Sequence, residues 1–297
     1  MRPGHLHPVV HHPSSCAGNQ PCSIQPTVQD VQLICTIPVL TANMQLQTLL
    51  LLPMAFLLPP RTWADKIIGG KQAKPHSRPY MAHLSVRHGN KSFFCGGFLV
   101  SENFVLTAAH CNGDEIIVKL GAHNIKLWEW KRQKISVCHQ IPHPQYNEDT
   151  DDNDIMLLKL VKRAKLNKWV KTIALPHAGE RVKPGAVCSV AGWGSTSTES
   201  ESYPATLQEV DVEVLEDAAC LRNPKGSYCH YNTSTMMCVG DSAYDKNSDM
   251  GDSGGPLVCG EKVQGIVSWE TEDRTPPAVY TRVSTFIPWI QEMMNRL

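Results

Sequence analysis

Three side chains in this sequence have the chemical types that nucleophilic catalysis needs. Ser253 lies in the run Gly251–Pro256, where glycines allow a tight turn that presents two backbone N–H groups beside the hydroxyl. A serine hydroxyl is a poor nucleophile near neutral pH, so it needs a base that accepts and returns its proton. His110 is the candidate base. Asp154, which is followed at once by an apolar strand, is the candidate partner that fixes the tautomer of the imidazole.

The order of these residues along the chain distinguishes between classes of serine hydrolase. The serine turn also matches the G-x-S-x-G elbow of α/β hydrolases, whose order is serine, acid, histidine. Here His110 comes first, Asp154 second and Ser253 last, which argues against the elbow. Each residue alone also fits an ordinary role: a histidine beside a disulfide, an aspartate at a strand start, a serine in a glycine turn. Their combination in this order predicts catalysis.

Composition limits the possible partners and the compartment. The 297 residues have a formal net charge of zero, which argues against a nucleic-acid binder or a polybasic membrane-surface protein and favours a peptide partner. Eleven cysteines are many for a cytosolic protein and predict an oxidising compartment.

A signal peptide is expected over residues 44–64. The apolar run Leu49–Leu58 is about half the roughly 20 residues that span a bilayer, and is typical of the core of a signal peptide. Thr62 and Ala64 predict cleavage after Ala64, and Met44 is the better start. Residues 1–43 mix histidines and cysteines with prolines and show no apolar periodicity. We expect a disordered leader or upstream translated sequence there, rather than a metal site.

The rest of the sequence predicts an all-β fold. Short β-rich runs recur between turn residues with no helical period, which favours antiparallel barrels or sandwiches. Only the C-terminus predicts a helix, with Ser284 or Thr285 as its cap and Pro288 in the first turn. The predicted strands are Tyr80–Arg87, Phe93–Val100, Phe104–Ala109, Ile116–Leu120, Ile135–Gln140, Ile155–Leu160, Ala186–Ala191, Leu207–Leu215, Met236–Val239, Pro256–Cys259, Val263–Trp269 and Ala278–Val283.

The motifs together resemble the chymotrypsin family of serine proteases, and within it the granzymes and mast-cell chymases. The resemblance covers residues 67–297 and implies two six-stranded antiparallel β-barrels, over 67–175 and 176–283, with a C-terminal helix over 284–297. It implies an acyl-enzyme mechanism in which the N–H groups of Gly251 and Ser253 form the oxyanion hole. The motifs that carry it are Ile67–Gly70, the stretch Ala73–Ala82, the surroundings of His110, Asp154 and Ser253, Gly192–Gly194, and Ser268–Trp269.

The resemblance also implies activation by proteolysis. Asp252, next to the nucleophile, would be a costly isolated charge if it were buried without a partner. The implied partner is the new α-amino group of Ile67, which cleavage after Lys66 would free. The activation segment is then Asp65–Lys66, which suits either a dipeptidyl peptidase or a trypsin-like activator.

Three disulfides follow from the same resemblance: Cys95–Cys111, Cys188–Cys259 and Cys220–Cys238. The usual fourth bridge beside the specificity pocket is missing, and Asp249 stands at one of its positions. Cys138 and Cys229 are left over, and pairing between them stays open.

The implied specificity pocket favours bulky apolar residues, because it has Ala278 and no buried charge. Glu270 stands where the family usually has glycine, so a preference for cleavage after lysine or methionine stays open. Glu148, Asp149, Asp151 and Asp152, with Glu272 and Asp273, suggest either a preference for basic residues near the cut site or a solvated acidic surface. The implied pocket residues are Asn247, Ser248, Ser268, Trp269, Glu270 and Ala278.

The remaining expectations concern modification and partners. Asn90 and Asn232 begin glycosylation sequons, and no metal-site motif or cofactor is expected. Removal of the residues before Ile67 leaves 25 Lys and Arg against 26 Asp and Glu, which departs from the strongly basic granule proteases. We expect a secreted or granule-stored monomeric endopeptidase with protein substrates, an activating protease and protease inhibitors as partners. The alternative is a catalytically silent, azurocidin-like binding protein; a digestive trypsin-like enzyme is disfavoured by Asn247 and by the missing bridge.

Overall fold

Two antiparallel β-barrels form the described part of the chain. The computed structural model describes residues 70–195, 203–221, 228–240, 252–270 and 277–297, and all of them belong to one compact unit. The leader, the signal peptide, the activation dipeptide and Ile67 lie outside these residues.

The first barrel closes in the strand order β2-β3-β4-β7-β6-β5. Gly89 and Asn90 join the first two of these strands by a two-residue turn, and Gly89 has a φ of 57°, which glycine adopts most readily. Alternate residues point inward, so that Leu84 and Val118 are fully buried in the core. The strands are β2 (Met81–His88), β3 (Lys91–Ser101), β4 (Phe104–Thr107), β5 (Glu115–Leu120), β6 (Gln133–Pro142) and β7 (Met156–Leu160).

The second barrel is a circuit of six strands that closes where β8 pairs with β9, in the order β8-β9-β10-β13-β12-β11. Val190 and Leu257 are fully buried in its core. Strand β1 (Lys71–Gln72) adds to this circuit by pairing with β9. The strands of the circuit are β8 (Val187–Gly192), β9 (Gln208–Val214), β10 (Met236–Gly240), β11 (Pro256–Cys259), β12 (Lys262–Trp269) and β13 (Ala278–Arg282).

The all-β prediction is confirmed, and each of the twelve predicted strands has an observed counterpart. The sequence did not reveal β1 or the helix α1 (Asp217–Leu221), because two residues and five residues are too few to show a period.

The C-terminal helix α2 (Ile287–Arg296) forms with Pro288 in its first turn, as predicted. The predicted cap is wrong. A 3-10 turn over Val283–Thr285 precedes the helix, so Phe286 occupies the cap position and makes no side-chain cap bond. The hydroxyl of Thr285 donates instead to the carbonyl oxygen of Ser234 at 2.6 Å. None of the helices in the described parts of the chain has the length and hydropathy of a membrane-crossing segment.

The structure contains the three disulfides that the resemblance implies, Cys95–Cys111, Cys188–Cys259 and Cys220–Cys238. Cys138 is exposed with a free thiol, whereas Cys229 is disulfide-bonded. The two leftover cysteines are therefore not joined to each other.

Candidate active site

His110 lies in a 3-10 turn, Ala109–Cys111, directly after β4. The disulfide between Cys95 and Cys111 ties this turn to β3. The His110 side chain is about a quarter exposed, at 27% of its surface.

Asp154 orients that imidazole from a buried position just before β7. Its carboxylate is 0% exposed, and Oδ2 lies 2.8 Å from His110 Nδ1 while Oδ1 accepts the backbone N–H of His110 at 3.0 Å. A second donor, the hydroxyl of Ser268, reaches Oδ2 at 2.5 Å. Burial favours the neutral acid, but the charge of His110 and these hydrogen bonds hold the pKa of Asp154 below its ordinary value.

The ionised carboxylate of Asp154 determines the pKa and the tautomer of His110. Burial opposes the charged imidazole, yet the charge and hydrogen bond of Asp154 outweigh it and raise the pKa of His110 above its ordinary value. A carboxylate accepts only, so Nδ1 carries a proton and Nε2 of the neutral ring is left as the base.

Ser253 lies in the turn before β11 and is fixed against the first barrel through its backbone. Its carbonyl oxygen accepts the N–H of Gly96 at 2.8 Å and lies 3.7 Å from Sγ of Cys111, the residue after His110. Gly254 has a φ of 80°, and a Cβ there would lie 2.1 Å from Thr107 Oγ1. The glycine after the serine therefore allows the turn to approach the histidine segment.

The side chain of Asp252 lies in a cradle made by Gly192 and Gly194. Its carboxylate is fully buried, and Oδ1 accepts the N–H of Gly194 at 2.8 Å. A Cβ on Gly192 would lie 1.8 Å from the same oxygen. The Gly192–Gly194 motif thus leaves room for a carboxylate. Its implied partner Ile67 and the second oxyanion-hole residue, Gly251, lie outside the described residues.

Asp151 is an acidic neighbour of the site whose role the sequence did not reveal. One oxygen of Asp151, one oxygen of Asp154 and one ring nitrogen of His110 lie within 4.8 Å of one another. Tyr146 donates its hydroxyl hydrogen to Asp151 at 3.3 Å. Burial, followed by the charge of Asp154, raises the pKa of Asp151 to about 7.

The other members of the acidic stretch have different environments. Asp152 accepts a hydrogen bond from Asn232 Nδ2 at 3.1 Å and one from Thr235 Oγ1 at 2.5 Å, which joins the two barrels. Glu148 and Asp149 are exposed. Two of the four clustered acids are therefore engaged within the fold, and Glu272 and Asp273 lie outside the described residues.

The implied specificity pocket is described in part. Trp269 and Ala278 lie on the adjacent strands β12 and β13, and Ala278 is buried. Tyr228, which the sequence did not single out, has its ring 5.6 Å from that of Trp269 and donates to the carbonyl oxygen of Pro277 at 2.6 Å. Ser268 supports Asp154, as described above. Asn247 and Ser248 lie outside the described residues, and Glu270 is partly exposed.

The two glycosylation sequons differ in their surroundings. Asn90 is exposed in the turn between β2 and β3. The side chain of Asn232 is already engaged, because Nδ2 donates to Asp152 at 3.1 Å and Oδ1 accepts the N–H of Ser234 at 3.1 Å.

Known proteins share this architecture and much of this sequence. A family model described as Trypsin matches residues 67–290. Mast cell protease 3 of Ovis aries is 51% identical over 247 residues, which are 83% of this chain and 96% of the relative. Human granzyme B is 50% identical over 248 residues, 83% of this chain and 98% of the relative.

A third relative, human cathepsin G, is 49% identical over 246 residues, 83% of this chain and 94% of its own length. Among solved structures, the "Structure of GrC" is 48% identical, with a TM-score of 0.73 over 77% of this chain and 100% of that chain.

Proposed function

Since the chain belongs to the trypsin family of serine proteases, we propose that it cleaves proteins internally through an acyl-enzyme formed on Ser253. The observation that carries this proposal is the pairing of His110 Nδ1 with the buried carboxylate of Asp154 at 2.8 Å, beside the Ser253 turn. That pairing supplies an oriented base, and the carbonyl oxygen of Ser253 lies 3.7 Å from Sγ of Cys111, the residue after this base.

The chemical steps follow from this arrangement. Nε2 of His110 takes the proton of the Ser253 hydroxyl as its oxygen attacks the scissile carbonyl carbon. The protonated ring, stabilised by Asp154, then returns the proton to the leaving amine as the C–N bond breaks. Water attacks the resulting ester with the same base, which releases the acid and restores Ser253. The N–H groups of Gly251 and Ser253 are the proposed donors to the oxyanion in both halves.

Activation is proposed to depend on Asp252. A fully buried carboxylate held by the N–H of Gly194 has room between two glycines, and a cationic α-amino group would compensate its charge. Cleavage after Lys66 would create such a group on Ile67. Pairing of this group with Asp252 would then fix the backbone of the neighbouring Ser253.

The proposed preference is for bulky apolar residues before the cut site. Ala278 on β13 has a small side chain, Trp269 on β12 has a large apolar one, and neither carries a charge. Burial of a large apolar side chain in such a pocket is worth about 1.5–3 kcal/mol, or roughly a tenfold to hundredfold preference over a small one.

Secretion is proposed from the cysteines and from the apolar run Leu49–Leu58. Three disulfides in the described residues suit an oxidising compartment. A secretory granule or the extracellular space is the proposed location.

A positional peptide library tests the activity and the preference together. The protein with Ile67 as its N-terminus should cleave fastest after Phe, Tyr or Leu, and Ser253→Ala should lower kcat by at least about 10⁴-fold. Faster cleavage after Lys would replace the apolar preference while leaving the peptidase proposal intact. Equal activity of Ser253→Ala would overturn the peptidase proposal itself.

A further inference from the structure

An exposed apolar protrusion lies on the first barrel, in the loop between β5 and β6. Leu127 is 61% exposed, Trp128 82% and Trp130 66%. Side chains of this size are seldom left so open on a soluble protein unless they serve a contact, and here three occur within four residues.

The loop holds these side chains outward by its own hydrogen bonds. Oε2 of Glu129 turns inward and accepts the N–H groups of His123 at 2.8 Å and Asn124 at 3.3 Å. Oδ1 of Asn124 accepts the N–H groups of Lys126 at 3.0 Å and Leu127 at 3.1 Å. The one acidic side chain of the loop is thus used inside it, while Leu127 and its tryptophan neighbours project.

A second segment extends the same surface. Trp169, in the connection between β7 and β8, has its ring 4.9 Å from that of Trp130 in an edge-to-face contact. The ammonium groups of Lys131 and Lys168 lie 5.1 Å and 4.7 Å from the ring of Trp169. We name Leu127, Trp128, Trp130 and Trp169 together the tryptophan patch.

The surroundings of the tryptophan patch are basic. Residues 124–134 and 165–171 contain seven Lys or Arg side chains, and their one acidic side chain is Glu129. The whole chain has a formal net charge of zero, so this is a local concentration of positive charge that the total conceals.

We propose that the tryptophan patch inserts reversibly into the interfacial layer of membranes that contain anionic lipids. Tryptophan prefers the membrane–water interface, and the leucine beside it adds apolar area that a hydrocarbon layer would cover. The ammonium groups of Lys131 and Lys168, which lie over the Trp169 ring, are close enough to the apolar side chains to meet lipid phosphates when those side chains insert. A sulfated glycan would bind the basic residues but would leave Leu127 and Trp128 in water, so the apolar protrusion favours the membrane.

Binding of the full chain to vesicles tests this proposal, which does not depend on peptidase activity. Phosphatidylcholine vesicles with and without phosphatidylserine are compared by co-sedimentation. The double variant Leu127→Ala/Trp128→Ala should bind the anionic vesicles at least roughly tenfold more weakly. Lys131→Glu/Lys168→Glu should remove the preference for anionic over neutral vesicles. Val187→Ser is the matched control, because Val187 is 62% exposed on the second barrel.

Every variant carries the same residues before Gly70, so a difference between variants reports on the patch. Equal thermal unfolding midpoints show that the variants are folded. A blue shift of tryptophan emission on addition of anionic vesicles, lost in the Leu127/Trp128 variant, is the second expected readout. Unchanged vesicle affinity in that variant overturns the proposal. Retention of the protein on heparin without binding to anionic vesicles would also overturn the proposal.

Discussion

At the scale of single residues, the candidate site is a set of polar groups with unequal environments. Asp154 is buried, receives three hydrogen bonds and stays ionised, whereas Asp151, also buried, receives one from Tyr146 and has its pKa raised to about 7. Two neighbouring carboxyl groups are therefore driven toward opposite protonation states, and both act on the proton of His110.

Asp151→Asn should shift the acidic limb of the kcat/KM profile to lower pH. The base is the neutral form of His110, so activity rises as this residue loses its proton. A charged Asp151 favours the protonated imidazole, so its removal lowers the pKa of His110. The pH profile of peptide hydrolysis by the processed protein measures this shift.

The same variant gives a stability control. The folded-state pKa of Asp151 is raised to about 7, so the carboxyl disfavours folding once the pH exceeds its unfolded value near 4, and fully so above 7. Asp151→Asn should therefore raise the unfolding midpoint at pH 8 and change it little at pH 4. An acidic limb and a midpoint that both stay in place would refute the assignment of Asp151.

Sequence reasoning could find His110, Asp154 and Ser253 because each lies in a distinctive local pattern. The support from Ser268 and Asp151 could not be found in this way. Ser268 lies 114 positions from Asp154 along the chain, so only folding shows that its hydroxyl reaches the carboxylate. The patch around Trp128 shows the same limit, because its exposure depends on how Glu129 folds inward.

At the scale of elements, the turns decide where functional groups can be placed. The end of β8 is close to Asp252 because Gly192 has no side chain. The turn after β2 projects Asn90 into solvent, whereas the connection before β10 holds Asn232 against Asp152.

Gly192→Ala should impair the protein more than the small size of the added methyl group suggests. The added Cβ would lie 1.8 Å from Asp252 Oδ1, so the carboxylate and the adjoining Ser253 turn must move. We expect peptidase activity to fall at least about a hundredfold, together with a loss of roughly 1–3 kcal/mol in the free energy of unfolding. Peptide hydrolysis and denaturant unfolding measure the two effects.

Gly179→Ala is the control for this prediction. Its φ is 72° and nothing lies within 4 Å of the added Cβ, so it introduces backbone strain without contact with the site. Similar activity losses in both variants would show that the cradle around Asp252 has no special role.

Glycosylation should distinguish the two sequons. A glycan on Asn232 would replace a hydrogen on the nitrogen that donates to Asp152, whereas Asn90 is open. In protein secreted by mammalian cells, glycosidase treatment should lower the mass of the Asn232→Gln variant as much as it lowers the mass of the unchanged protein. The Asn90→Gln variant should show no such loss of mass. A glycan found chiefly on Asn232 would contradict this expectation.

At the scale of the whole molecule, the candidate site exists only where the barrels meet. The first barrel supplies His110 and Asp154, and the second supplies Ser253 and Ser268. Hydrogen bonds from Ser268 and Thr281 to Asp154, at 2.5 Å and 2.7 Å, hold the halves together at the site itself. The formal net charge of zero also conceals two regions of opposite charge. The acidic stretch before β7 and the basic surroundings of the tryptophan patch offset each other in the total.

If these separate segments make the hydroxyl of Ser253 a nucleophile, it should react covalently with a reagent that labels activated serines. The protein with Ile67 as its N-terminus is treated with a fluorophosphonate and digested, and the peptides are weighed by mass spectrometry. We expect one adduct, on Ser253, that is absent from Ser253→Ala and much slower to form in His110→Ala. A correctly folded and processed protein that forms no adduct on Ser253 would contradict this expectation and favour a silent binding protein on the same fold.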